Sequence, residues 1–438
     1  MYPSGGFVLI FHVSSTTTLP LDARLGKLVS PLGGVIAQLE QLAAGSTRSA
    51  DTVTLARLGE VGELRGAGAA RFGAELDGIG CDPDPAAAAR IAAIEACERY
   101  AAAVWDERAW VTDTASALGA EAIDLDGLAC CSPRELAHPD YPLAGWDPDE
   151  PLRWVSGWSL LSGQPLWVPA VMAHLGMRVV HPVESFWLQS SSGCAAGESE
   201  AAALLAACLE LVERDACAIA WLQRLRLPRL KPAAEGSGRA AGPLERRLAG
   251  DRDRERITLF DATTDLGIPT VLAVLVPAPD APPFPAFGAA SALSLERAAE
   301  RALRELSIFR ACLWPHVGAH RPLPAAAFAH LFEPPGRPAP LAPVRRRLDR
   351  GSLERQLATV VELLVAECGE LLAVELTPPE LAGSGLRVVR VIAPALIPFL
   401  AHPRVRYLGS RRLYDVPPRM GHPVSSEEGL NPWPSPLL

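Results

Sequence analysis

The chain has 438 residues, of which 49% are hydrophobic and 21% charged, enough apolar material for a large core and too much for a disordered polymer. Lys and Arg number 41 against 50 Asp and Glu, and the net charge of -9 argues against a nucleic-acid partner, whose phosphates it would repel. Nine cysteines without a CxxC fit buried free thiols in a reducing cytoplasm, and no stretch reads as a signal peptide or membrane span.

In chain order, the apolar segment from Gly6 to Val13 reads as a strand. The run Gly78-Ile79-Gly80-Cys81-Asp82-Pro83 reads as a turn, and the Ala-rich stretch after it predicts a helix over 86–105. Residues 152–171 alternate large apolar with small or polar residues around Ser162-Gly163, the pattern of a hairpin. A strand over 184–189, the turn Ser190-Ser191-Ser192-Gly193 and a long helix ending near Arg224 follow. Such a strand, turn and helix commonly bring backbone N–H groups to phosphate. Residues 233–249 read as a loop, 257–276 as a strand pair, 294–313 as a helix and 321–345 as Pro-rich and irregular. A helix over 352–367, strands over 371–376 and 387–392, and a Pro-rich tail complete an α+β fold, mixed sheets covered by Ala-rich helices.

Charge is concentrated in few places. The first Ala-rich helix carries Glu95, Glu98 and Arg99, and the second carries Glu210, Glu213 and Arg214, both in the spacing E-x-x-E-R. At about 100° per residue each set falls on one stripe of its helix. A third helix adds Arg301 and Glu305 one turn apart. Three such stripes meeting in one pocket would suit Mg2+ and ATP, because hard cations take carboxylate oxygens and Arg pairs with phosphate. The competing reading is ordinary decoration of solvated helix faces. The low charge elsewhere on these helices speaks against it, since helices so apolar are buried and buried charges pair or bind ions.

Other constellations are weaker. No P-loop motif is present, and Gly193-Cys194-Ala195-Ala196-Gly197 has nucleophile-elbow spacing but Ala at its centre. Cys194 reads as a packed thiol, and Pro315 and Gly318 argue against a shared zinc face for His316 and His320. The run Pro432-Trp433-Pro434-Ser435-Pro436 favours the stiff polyproline II conformation, as a docked tail, a partner ligand or a disordered end.

The stretch SSSGCAAGESEAAALLAACLELVERDA (190–216) resembles the signature of the YcaO family, and IEACERY (94–100) resembles its companion helix. WVSGWSLLSGQPLWVPA (154–170), AERALREL (299–306), and VVRVIAPAL followed by RYLGSRRLYDVP extend the similarity. The resemblance implies a catalytic unit over 1–420 whose helices line an ATP site, and a tail over 421–438 inserted toward it. It implies that Glu95, Glu98, Glu210, Glu213 and Glu305 hold Mg2+, and that these residues with Arg99, Arg214 and Arg301 hold ATP. Ser192 and Glu198, where the family often has Asn, are assigned to the same cofactor site. Ile79 and Ile308 stand where Lys and Gln are common. The tail prolines Pro432, Pro434 and Pro436 match the C-terminal feature of the azoline-forming branch, where the tail orders the active site. The implied activity is ATP-dependent cyclisation of Cys, Ser or Thr to thiazoline or oxazoline in a ribosomally made precursor peptide, with a ThiF-like protein binding the leader. Thioamide or amidine formation, or a non-catalytic scaffold, are the alternatives. A homodimer is compatible with the sequence.

Overall fold

The computed structural model describes residues 13–15, 21–42, 51–59, 77–125, 128–230, 255–277, 285–312, 323–333 and 348–436. Strands β1 (Val13–Ser15), β2 (Ile36–Leu42), β3 (Thr52–Leu58) and β4 (Gly78–Asp82) form an antiparallel sheet in that order, and α1 (Pro85–Ala103) folds back over it. Asp84 starts α1 by accepting from the Ala86 N–H at 3.1 Å, with Pro85 in the first turn where its missing N–H costs nothing. Strands β5 (Val111–Asp113), β6 (Leu152–Ser159), β7 (Pro165–Pro169) and β8 (Cys194–Gly197) lead to the 23-residue helix α2 (Glu200–Leu222), capped by Ser199. An antiparallel three-stranded sheet of β9 (Glu255–Asp261), β10 (Thr270–Pro277) and β11 (Ala286–Ser291) then carries α3 (Leu295–Cys312). After α4 (Leu353–Cys368), strands β12 (Leu372–Glu375) and β13 (Arg387–Ile392) complete a six-stranded sheet in the order β5-β6-β12-β13-β8, with β7 on β6. Helix α5 (Arg411–Arg419) packs on α2.

The six-stranded sheet is covered on both faces, and its alternation shows it. Leu372, Val374 and Val388 join the cluster built on α1, whereas Ala373, Val389 and Val391 join the cluster built on α2 and α4. Helices α1 and α2 are apolar nearly all round and buried, as their composition requires, while α4 buries chiefly Val360 and Leu364. The same close helix-on-strand contact occurs in both smaller sheets. A Cβ on Gly80 would lie 1.9 Å from the Ala88 carbonyl oxygen of α1, and one on Gly288 would lie 2.3 Å from the Ala302 carbonyl oxygen of α3.

The structure revises several expectations. The segment 78–83 is not a turn but β4 and its exit, because its glycines leave room for α1. Residues 184–189 form no strand: Pro182 opens a 3-10 turn over Pro182–Phe186 in which the Glu184 carboxylate accepts the Val180 N–H at 2.9 Å and pairs with Arg153 at 2.7 Å. The strand lies one turn later, as β8. Helical turns occupy Ala325–Leu331 within the segment read as irregular. Cys130 is exposed, unlike the other described thiols, which are buried or half-buried. The strand expected over 6–13 lies outside the described residues apart from Val13, as do the loop over 233–249 and both His316 and His320.

Gly80→Ala should lower stability by about 2 kcal/mol, the usual size of an overpacking penalty, since the clash is with helix backbone that cannot swing aside. Urea unfolding of both proteins measures it, and an unchanged midpoint would contradict the packing described.

Candidate functional site

The charged stripes of α1, α2 and α3 face one another. On α1, Glu95 accepts from the Arg99 guanidinium at 2.7 Å, and its other oxygen accepts the Ile79 N–H of β4 at 3.0 Å. Glu98 accepts the Ala196 N–H of β8 at 3.2 Å. On α2, Arg214 lies 3.6 Å from Glu210 and 3.8 Å from Glu213, with its guanidinium 5.1 Å above the Phe399 ring. The Gly193 N–H, in the turn before β8, faces Glu210, and the Ser291 N–H at the end of β11 faces Glu213, each favouring the ionised carboxyl. Helix α3 supplies Arg301 and Glu305, which interact with Glu213.

The electrostatics are those of crowded like charges. Burial pushes the Glu98 carboxyl well above the usual carboxylate range, and Glu210 and Glu95 push it further against the pull of Arg99. Burial also raises Glu210 and Glu213, opposed first in each case by Arg214. Desolvation by the protein packed around it, then Glu213 and Glu95, lift Glu305 to about 7, even though its own side chain reaches the exposed edge. Yet the side chains of Glu213, Glu210 and Glu95 keep 14%, 23% and 29% of their surface accessible, and Glu305 and Arg301 stand at the exposed edge. The groups therefore form a chamber partly open to water rather than a sealed core.

The donor set fits Mg2+ bound with phosphate. All the acidic donors are hard oxygens, and their mutual repulsion is relieved by a cation. Among the described residues no group of three or more His, Cys, Asp or Glu is gathered closely enough to cage a metal alone. Mg2+ seldom uses such a cage; it takes one or two carboxylates and completes its shell with water and phosphate oxygens.

Two sequence-assigned residues stand apart from this set. Glu198 is 71% exposed on the approach to α2 and pairs with Arg90, because the chain turns outward between β8 and the Ser199 cap. Ser192 is buried, its hydroxyl accepting the Phe399 N–H at 3.3 Å and its carbonyl accepting Arg390 at 2.6 Å, so it tethers the turn. In the tail, Asn431 is fully buried, donating from its N–H to the Leu222 carbonyl at 2.7 Å. The Trp221 indole donates to the Trp433 carbonyl at 3.0 Å. Pro432 and Pro434 are exposed, whereas Pro436 is buried beside Cys217, three residues beyond Arg214 on α2.

Sequence reasoning missed Arg390, 2% exposed on β13, and the pairing of Asp215 with Arg412 of α5 at 2.8 Å. A lone Arg inside the apolar run VVRVIA is the signal that marks the first. The Asp next to Arg214 in the motif points the other way round α2, into the helix–helix contact.

A chamber of carboxylates and guanidiniums on an α+β frame is the equipment of an enzyme that handles metal-bound phosphate. A family model described as YcaO cyclodehydratase, ATP- and Mg2+-binding, matches residues 79–397, which contain every charged residue of the chamber, and the chain belongs to the YcaO family. A heterocyclase in complex with substrate and cofactor superposes with a TM-score of 0.75 over 94% of this chain and 56% of its own, at 23% identity. YcaO from Methanopyrus kandleri bound with AMPPCP and Mg2+ gives 0.58 over 82% of this chain and 86% of its own, also at 23%. A Rhizobium leguminosarum bv. trifolii relative, an uncharacterized protein of the tfuA 3' region, is 35% identical over 199 residues, 44% of either chain. The chain thus spans about half the length of the heterocyclase and less than half that of the curated relative. No helix among the described residues is long and apolar enough to cross a membrane.

An acid whose folded-state pKa stands above its unfolded value binds its proton better when folded, so stability falls as pH rises between the two values. For Glu305 that window runs from 4.5 to about 7, and the raised Glu98, Glu210 and Glu213 act in the same direction. Without divalent metal, Tm should decline across the window; Mg2+ with a non-hydrolysable ATP analogue should remove much of the decline, and Glu305→Gln should flatten it. A decline of the same steepness in wild type, in Glu305→Gln and in the Mg2+-nucleotide complex would contradict the crowding.

Proposed function

We propose that this chain uses ATP and Mg2+ to activate backbone amides of a ribosomally made precursor peptide, closing Cys, Ser or Thr onto the preceding carbonyl to give thiazoline or oxazoline. The observation that carries it is the meeting of three helices' charged stripes in one cluster that stays partly open to water. Glu95, Glu98, Glu210, Glu213 and Glu305 would hold Mg2+, and Arg99, Arg214 and Arg301 the phosphates. Bound Mg2+-ATP supplies a phosphoryl group that makes the amide oxygen a leaving group. The side-chain thiol or hydroxyl adds to the carbonyl carbon as its proton leaves. The oxyanion takes the γ-phosphoryl with release of ADP, and phosphate departs as the nitrogen loses its proton and the C=N bond forms. The protein's part is placement and neutralisation, since a transferring phosphoryl group needs little else.

The tail would order the reacting end of the chamber. Pro436 packs against α2 just past Arg214, and its stiff neighbours Pro432 and Pro434 lose little entropy when held there. A ThiF-like protein would present the leader peptide. The described cysteines, all free thiols, suit work in the reducing cytoplasm. The exposed Glu198 and the tethering Ser192 would shape the rim and the turn rather than grip phosphate.

Incubation with the genomically adjacent precursor, its ThiF-like protein, ATP and Mg2+ should remove the mass of one water per modified residue. Glu213→Gln should slow this and ATP turnover by about 100-fold or more, the value of a lost carboxylate at a metal-assisted phosphoryl transfer. A chain ending at Asn431, which keeps the buried anchor but lacks the prolines, should retain its fold and lose cyclisation. Unchanged peptide mass with wild type, despite demonstrated peptide binding, would refute the activity; wild-type rates in both variants would refute the site.

A further inference from the structure

The turn Ser190–Gly193 lies between β13 and α2, and its hydrogen bonds run to β13 and the segment after it. Arg390, in register with Cys194 across β13 and β8, donates from its Nη1 to the Ser192 carbonyl at 2.6 Å and from its Nε to the Ala173 carbonyl at 3.1 Å. The Val391 N–H donates to the Gly193 carbonyl at 2.7 Å, and the Phe399 N–H donates to the Ser192 hydroxyl at 3.3 Å. Gly193 sits at φ +79°, and a Cβ there would lie 2.3 Å from the Val391 carbonyl oxygen, so the turn is pressed onto β13 without slack. From that turn a Cβ on Gly193 would lie 3.0 Å from the Leu211 side chain of α2, and the Gly193 N–H faces Glu210, the first residue of the E-x-x-E-R stripe, favouring its ionised form.

A guanidinium 2% exposed between the valines of β13 is costly unless it does something a hydrophobic residue cannot. Here it makes two directed hydrogen bonds to backbone carbonyls that no apolar residue and no single ammonium could make together in the same geometry. Its charge also favours ionised Glu210, as do those of Arg214 and Arg99.

We infer that Arg390 is a positioning residue for the metal site: by fixing the Ser190–Gly193 turn it aims the Gly193 N–H at Glu210 and so holds that carboxylate in the pose that takes Mg2+. This inference rests on the reading of the chamber as a Mg2+-nucleotide site. Arg390 touches neither metal nor phosphate in this role; it acts through the turn.

The test is Arg390→Lys, which keeps the charge and loses the two-pronged grip. Calorimetric titration with a non-hydrolysable ATP analogue over a series of Mg2+ concentrations should show the half-saturating Mg2+ rising about tenfold, the value of one lost charge-assisted hydrogen bond. The ATP KM measured at saturating Mg2+ should change less than twofold. In a Glu210→Gln background the substitution should add almost nothing, because the residue through which it acts is gone. Equal Mg2+ dependence in Arg390→Lys and wild type, or full additivity with Glu210→Gln, overturns the inference. Absence of Mg2+-dependent nucleotide binding by wild type itself overturns the underlying site reading instead. If Arg390→Lys fails to fold, Ser192→Ala, which cuts the turn's tether to the Phe399 N–H and leaves all charges in place, should raise the half-saturating Mg2+ about threefold, and no rise would overturn the inference.

Discussion

Four glutamates brought within reach of one another repel, and the rest of the structure is arranged to hold them there. Each of the four on α1 and α2 meets a backbone N–H from outside its own helix: Glu95 accepts from Ile79 and Glu98 from Ala196, while the Gly193 N–H faces Glu210 and the Ser291 N–H faces Glu213. Those amides come from β4, from β8 and the turn before it, and from β11, so all three sheets contribute. A carboxylate held by an N–H keeps its place when its charge is unfavourable, and its oxygens still carry lone pairs for a cation.

That arrangement dictates the composition. A strand amide reaches a glutamate on the covering helix only if the two backbones approach closely, which is why Gly78 and Gly80 lie under the alanines of α1; Gly288 lies as close under Ala302 of α3, which brings that helix's Arg301 and Glu305 in beside the other two. The Ala-rich character of these helices is thus a requirement of the site as well as of the core. The outer elements are built differently. Arg412 joins Asp215 to Asp265, and Arg153 joins Glu184 to β6 of the six-stranded sheet, pairs that fasten α5 and the 3-10 turn without entering the chamber. The E-R-D run of α2 divides its labour accordingly, Glu213 and Arg214 facing the chamber and Asp215 the clamp.

Much of this was legible in the chain, and for identifiable reasons. Helices α1, α2, α3 and α4 emerge with nearly their observed bounds because long runs of helix formers leave no alternative, and the hairpin of β6 and β7 emerges from its alternation about Gly163, which adopts φ +71°. The spacing of the two pentads places their charges on one stripe each, but only the tertiary fold turns the stripes toward one another. What stayed hidden depends on contacts distant in sequence. Strand β4 looks like a turn because its glycines serve helix packing, and β8 looks like part of a small-residue turn because its pairing partner, β13, lies about 190 residues away. Glu198 resembles a site residue by position in the motif, yet the backbone carries it out to Arg90. The tail prolines could be read as docked, as a ligand or as disordered, and it is the burial of Asn431 and Pro436 that distinguishes among these.

The claim on which everything turns is that the crowded carboxylates are an excess of negative charge that Mg2+-nucleotide offsets. Calorimetric titration of wild type with a non-hydrolysable ATP analogue, in buffers of differing ionisation enthalpy near the pH of about 7 at which Glu305 titrates, reads this directly. Binding should require Mg2+ and should release protons, because the metal displaces those that the raised carboxyls hold. Binding of equal strength without Mg2+, or binding with no proton release, would contradict it.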